Sequence, residues 1–426
     1  MFRVIALASL VALAGCHRQA DAPGEAPTGL NVDPGDGQVT VSWNSQPGLT
    51  YWIFFRAGST VTAPGVPLIF DAQSPRVVAP LTNGTQYAFV MNATNQDSRA
   101  GPSTPVFLAV PRLAGANWTS GAPLGSALQN LNGVAFGTVV VSGISTARIV
   151  AVGNLAPGTP PTPTIFAGDF NYTSTNPPGV TAWTLATSIP TEFASDLSAV
   201  TFDGSQFIAL GTDGSILKSP DGNTWTAATS VPSGGAAGPR MNSIAFGATT
   251  YVAVGDGGNI FTSPDLVTWA TVVPLPGSDL YSVSFPKDTF VATGAGGALL
   301  TSTDGSNWTV RNSTVSTALR GAAFGTGSTA AGASYVVVGD AGTILTSTDL
   351  TTWSLITPPP SLTQDLRAIR FGTRFVAVGQ GGKVAYSDDA ATWSLSSAGS
   401  ADLAAIVFTP AMYVAVGAAG ANAVSK

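Results

Sequence analysis

Seven stretches of the chain share one order of apolar and polar positions: a leucine or methionine, a variable residue, a small residue, an aliphatic residue, a variable residue and a phenylalanine. They are LNGVAF (131–136), LSAVTF (197–202), MNSIAF (241–246), LYSVSF (280–285), LRGAAF (319–324), LRAIRF (366–371) and LAAIVF (403–408). Each predicts an inner strand. A second strand such as YVAVG (251–255) follows, then a glycine-rich turn such as GDGGN (255–259) and a third strand such as IFTSPD (260–265). All units but the last then reach a fourth strand marked by Trp183, Trp225, Trp269, Trp308, Trp353 or Trp393, 39 to 45 residues apart. Four strands in about 40 residues is the arithmetic of a β-propeller blade, which buries both faces against its neighbours. The seventh unit reaches Lys426 with three strands and no tryptophan, while Trp118 in GANWTSG (115–121) has no strands before it. Residues 116–121 are therefore expected to pair beside the C-terminal strand and close a seven-bladed ring. Six complete blades with that fragment unused is the alternative.

Ahead of the repeats, PTGLNVDPGDGQVTVSW (27–43), YWIFFRAG (51–58) and LTNGTQYAFVMNATN (81–95) alternate apolar and polar residues between Gly, Pro and Asn turns, and GPSTPVFLAV (101–110) fits a last strand. This predicts a small β-sandwich. The inward Leu30, Val39, Val41 and Trp43, with the Leu81-x-x-Gly84-x-x-Tyr87 pattern of a tyrosine corner, make residues 27–112 resemble a fibronectin type III domain. The fold class is all-β: a fibronectin type III-like sandwich, then a seven-bladed propeller over 113–426. Within the repeats, SPDGNTW, SPDLVTW, STDGSNW and SDDAATW resemble the Asp-box of sialidases and of propellers related to the photosystem II assembly factor; the second and fifth blades carry Asp221 and Asp349 in it. The resemblance implies that the aspartate caps the turn between third and fourth strands and that the tryptophan packs between blades. The box glycine is replaced by Leu266, Leu350 or Ala390 in three copies.

The N-terminus changes the compartment. MFRVIALASLVALAGC has one basic residue, Arg3, then a short apolar run, as a signal peptide does (1–15). Leu13-Ala14-Gly15-Cys16 resembles the lipobox of bacterial lipoproteins, which implies a lipid anchor on Cys16, the one cysteine of the sequence, and a tether over 16–26. Burial at about 0.8 kcal/mol per methylene makes more than one acyl chain a stable anchor. His17 follows the cysteine where aspartate would signal inner-membrane retention, so the expected location is the outer membrane.

Composition narrows the chemistry. With 17 basic and 23 acidic residues the chain has a formal charge of −6 and no broad cationic surface, which argues against a nucleic-acid partner. The one histidine is His17 and the glutamates are Glu25 and Glu192, so the body of the chain has no imidazole base, no thiol nucleophile and no usual zinc-ligand set. No cofactor or metal is expected.

Function is then sought where the repeats differ. The first residues of the inner strands ring one mouth of the central channel, and their second positions read Asn132, Ser198, Asn242, Tyr281, Arg320, Arg367 and Ala404. Asp196, Asp279, Asp365 and Asp402 precede four of the strands and Arg240 another. Two readings stand at this level: a recognition surface using Asn132, Asn242, Tyr281, Arg240, Arg320 and Arg367 for a protein or glycan, or aspartates that start turns with arginines paired to them. A proline-rich insertion (153–166) is expected at the same mouth, stiff and extended; GTGSTAAGAS (325–334) is expected at the other. The first functional class is a membrane-anchored, non-enzymatic binding or scaffolding protein. The second is a sialidase-like glycoside hydrolase, with the three arginines for a carboxylate, Tyr281 as nucleophile and Glu192 as its partner. No unit reproduces the ordered signature around that family's first arginine.

Overall fold

Apolar side chains alternating between turn residues put the regular structure into β-strands joined by tight turns. The computed structural model describes residues 21–425 apart from 63–67, 96–99, 126–128, 142, 159–160, 172–178, 181, 233–237, 273–277 and 327–332. The signal segment and Cys16 lie outside the described residues. Among those described, no helix is long and apolar enough to cross a membrane. The chain divides into two compact units: residues up to Pro34 with Gln38–Pro111, and Gly35–Gly37 with Arg112–Lys426.

In the first unit one sheet orders Asn31–Gly35, Gln38–Ser42 and Arg76–Val78, and a second orders Leu68–Ala72, Leu49–Ala57, Tyr87–Asn95 and Phe107–Ala109. Leu30, Val39, Val41, Trp43, Tyr51, Ile53, Phe89 and Met91 are buried between them. The Tyr87 hydroxyl accepts the Thr82 N–H at 3.1 Å, fixing the corner that leads into its strand.

The described residues of the second unit form seven sheets with meander order. Their inner strands are Leu131–Val141, Leu197–Phe202, Met241–Gly247, Leu280–Ser284, Leu319–Thr326, Leu366–Phe371 and Leu403–Phe408. Each packs against the next, and Leu403–Phe408 packs back against Leu131–Val141, so the sheets run in a ring. At the end of six inner strands an aromatic ring tilts against one on the second strand, as in Phe285 and Phe290 at 4.5 Å; in the first sheet Phe136 instead meets Phe170 of the third strand edge-on at 5.9 Å. The first sheet departs from the others: Ile144–Ala156 and Thr162–Asn171 pair as far as Ala156 and Thr162, so the described part of the 153–166 insertion is a prolonged hairpin.

The seventh sheet is built from both ends of the unit. Thr119–Ser120 pairs antiparallel with Asn422–Ser425, Ser120 opposite Ala423 and Thr119 opposite Val424. The turn before it is shared in the same way. Elsewhere a serine at the end of the third strand accepts the N–H three residues on: Ser219 from Gly222 at 2.7 Å, Ser263 from Leu266 at 2.9 Å, Ser302 from Gly305 at 2.8 Å, Ser347 from Leu350 at 2.9 Å. In the seventh sheet Ser425 takes that place and accepts from Gly115 at 2.7 Å, across 310 residues of sequence. The Trp118 indole donates to Gly115 O at 2.8 Å, as Trp225 does to Gly222 and Trp308 to Gly305. Trp118 is half-buried, as Trp183, Trp269 and Trp308 are, whereas Trp225, Trp353 and Trp393 are buried.

In the five continuous turns the aspartate two residues after the serine accepts two backbone N–H groups; Asp304 takes those of Ser306 and Asn307 at 2.9 and 2.8 Å. The same geometry holds Leu266, Leu350 and Ala390 in the left-handed region at φ of 60 to 62°, where the repeat elsewhere has glycine. Backbone donors, Thr268 for Asp265, Asn307 for Asp304 and Thr352 for Asp349, hold these carboxyls below the ordinary carboxylate range. A pKa lowered on folding adds stability that is present above the unfolded value and lost as pH falls through the folded one. The second unit's melting temperature is expected to be level from about pH 7 to 5 and to fall below about pH 4, and Asp304→Asn is expected to reduce that fall. Thermal melts across pH check this; an equal acid dependence in the variant would contradict it.

Candidate functional site

A bulge sits at the start of every inner strand. Leu131 pairs with Gly153 and Gly133 with Val152, which leaves Asn132 without a cross-strand partner. The same register shift isolates Ser198, Asn242, Tyr281, Arg320, Arg367 and Ala404. A bulged residue is re-aimed out of the pleat, so these seven side chains are released together at one mouth. The second strand makes room by ending in glycine: a Cβ on Gly379 would lie 1.9 Å from Asp365 O, the carbonyl that accepts the Gln380 N–H at 2.9 Å.

The inner strands enclose a central channel of about 390 Å³ whose wall includes Asn132, Asn242, Tyr281, Arg320 and Arg367. Arg240 and Glu192 are exposed and are not part of that wall; Arg240 Nε instead donates to Asn242 Oδ1 at 3.2 Å. Arg320 grips Asp340 with a two-pronged contact, Nη2 to Oδ2 at 2.9 Å and Nε to Oδ1, which raises its already high pKa. Its guanidinium carbon stands 4.8 Å from the Tyr281 ring centre. Arg367 Nη2 meets Asp402 Oδ2 at 3.0 Å. Asn132 and Asn242 donate to Leu197 O and Leu280 O at 2.8 and 2.9 Å, joining each inner strand to the next.

The aspartates before the inner strands have a second task. Asp196 Oδ1 accepts from Leu155, Asp279 from Gly257, Asp365 from Ala341 and Asp402 from Gly381, at 2.7 to 3.0 Å. Asp279, Asp365 and Asp402 therefore cap the turn of the preceding sheet, as Asn130 does for Ala419 at 3.1 Å, while Asp196 ties down the second strand of the first sheet's hairpin. Arg320 and Arg367 are thus neutralised in place and the aspartates of the mouth are partly engaged. What it presents outward is an aromatic ring under a fixed guanidinium, amides and the remaining carboxylate oxygens. Such groups hold a partner by hydrogen bonds and stacking. Among the described residues no group of three or more His, Cys, Asp and Glu side chains is placed to hold a metal ion.

Sequence reasoning missed one channel residue. Arg370 stands at the fifth position of its inner strand and lines the channel, where the other strands have Ala135, Thr201, Ala245, Ser284, Ala323 and Val407. A lone charge in a column of small and apolar residues was the available signal.

No protein-family model matches the chain, and no curated protein matches it. Among solved structures it is similar to YCF48 from Cyanidioschyzon merolae at 18% sequence identity, with 72% of this chain and 98% of that one covered and a TM-score of 0.50. It is also similar to YCF48 bound to D1 peptide, at 18% identity, with 72% and 96% covered and a TM-score of 0.53. Identity at that level speaks to the fold alone. With the four-stranded sheets following one another around a channel, it makes the second unit a β-propeller.

Proposed function

We propose that this chain is a lipid-anchored, non-enzymatic binding or scaffolding protein of the bacterial cell envelope that holds a protein or glycan at the mouth of a seven-bladed propeller. The observation that carries the reading is the convergence of Tyr281, Arg320, Arg367, Asn132 and Asn242 on one channel wall, each on a bulge and each in a defined hydrogen bond or ring contact. The similar propeller YCF48 has been seen bound to D1 peptide, which supports peptide recognition by this fold. In this reading residues 27–112 are a fibronectin type III spacer or second binding module, the Ser-x-Asp turns are Asp-boxes, and Cys16 carries the lipid, outer-membrane in location. The hydrolase reading is the weaker one, because Glu192 and Arg240 stand outside the channel wall that holds Tyr281.

The test uses peptide-display and glycan-array selection with the full chain. Ligands selected by the parent are expected to bind at least about tenfold more weakly to Tyr281→Ala/Arg367→Gln with its melting temperature nearly unchanged, because half-exposed pairs add little stability. Equal binding by the variant would remove the mouth as the site. Hydrolysis of a fluorogenic sialoside, lost in Tyr281→Phe, would replace the binding reading with catalysis. Release of a Cys16→Ala protein from membranes checks the anchor.

A further inference from the structure

Three arginines line the central channel, and their surroundings differ. Arg320 and Arg367 stand at the mouth with Asp340 and Asp402 as partners. Arg370 has no hydrogen bond, ion pair or ring contact with any of the described residues. It lies three residues further along the same strand as Arg367, about 10 Å deeper at the rise of an extended chain. Its side chain is exposed to the channel's own space, and the channel walls withhold enough solvent to push its pKa down. Among the described residues no acidic side chain lines the channel. Thr201 and Ser282 also line it, with hydroxyls that make no hydrogen bond to the described residues.

An unpaired cation on the wall of a channel that has no acidic lining concentrates anions there. A guanidinium presents a planar fork of donors matched to a planar oxyanion. One unpaired cation calls for one negative charge. We infer that the channel interior is a binding site for a single small, planar, monovalent oxyanion of the formate, acetate or nitrate class, held by the fork of Arg370. The site is distinct from the partner-binding mouth, whose arginines already have carboxylates. Two-pronged geometry favours formate and nitrate over spherical chloride, and the single charge disfavours sulfate.

The test is line broadening of carbon-13 formate in the presence of the full chain at constant ionic strength, with chloride, nitrate and sulfate as competitors. The expected result is saturable broadening relieved by nitrate more readily than by chloride or sulfate. It is expected to vanish in Arg370→Met, which keeps the side chain's length without its charge, and to persist in Arg320→Gln/Arg367→Gln. If Arg370→Met does not fold, Arg370→Lys keeps the charge and loses the fork, and is expected to bind formate about tenfold more weakly. No broadening with the parent would overturn the inference. So would broadening that survives Arg370→Met or Arg370→Lys undiminished, or that disappears in the mouth double variant alone.

Discussion

A Trp118→Ala/Ser425→Ala protein is expected to melt about 10 °C below the parent. Ser425 accepts the Gly115 N–H in a buried place, and removing the hydroxyl leaves that donor without a partner, at a cost of about 1 to 3 kcal/mol. A fully buried tryptophan cut to alanine costs about 3 to 5 kcal/mol; the half-buried Trp118, packed on the cluster that includes Val376, Val378 and Tyr413, is expected to cost about 2 kcal/mol. Both losses fall on the two-residue strand that joins Thr119 and Ser120 to Val424 and Ala423. Once that strand leaves, Asn422–Ser425 becomes an open sheet edge. Thermal melts and limited proteolysis check this. A variant that melts within a degree of the parent, with no new cleavage between 112 and 125, would show that the ring does not depend on this closure.

Gly379→Ala is the second large effect expected. The backbone at Gly379 is extended, with φ of −170°, so the glycine is required by space rather than conformation. A methyl group there would stand 1.9 Å from a backbone carbonyl that cannot rotate away, because it accepts Gln380 N–H. Relief requires the bulge at Arg367 to open. The expected cost is about 3 kcal/mol, with Arg367 displaced from Asp402 and mouth binding lost as well. A Gly381→Ala control, where a Cβ meets nothing within 4 Å but φ is 64°, is expected to cost about 1 kcal/mol from strain alone. Denaturant melts of the two variants compare these costs, and equal values would refute the steric account.

Much of the fold could be read from residues. The seven inner strands, the glycine turns and the N-terminal strand beside the C-terminal one follow from spacing. The bulge was less visible, although it explains why the repeated pattern buries positions one and four while two and three both stay half-open, an irregularity no straight strand produces. At the mouth, charge composition supported two readings, and the geometry joins them. Arg320 and Arg367 do pair with aspartates, and Asp279 and Asp365 do hold turns, yet five of the named residues still share one channel wall. Asp340 as the partner of Arg320 could not be read locally, because it lies 20 residues away in the turn after the second strand. Ser425 was missed because its turn is assembled from both ends of the unit. The first sheet's long hairpin was concealed by its prolines, which argue against a strand when judged one residue at a time.

The pairing of Ser120 with Ala423 also makes the seventh sheet a joint between the two ends of the unit. The other sheets are built from strands that follow one another along the chain, whereas this one closes a loop of nearly the whole unit, and so carries the largest loop-closure entropy. Two copies held close together could each offer the other the missing edge, which would turn a self-closing ring into a strand-exchanged dimer.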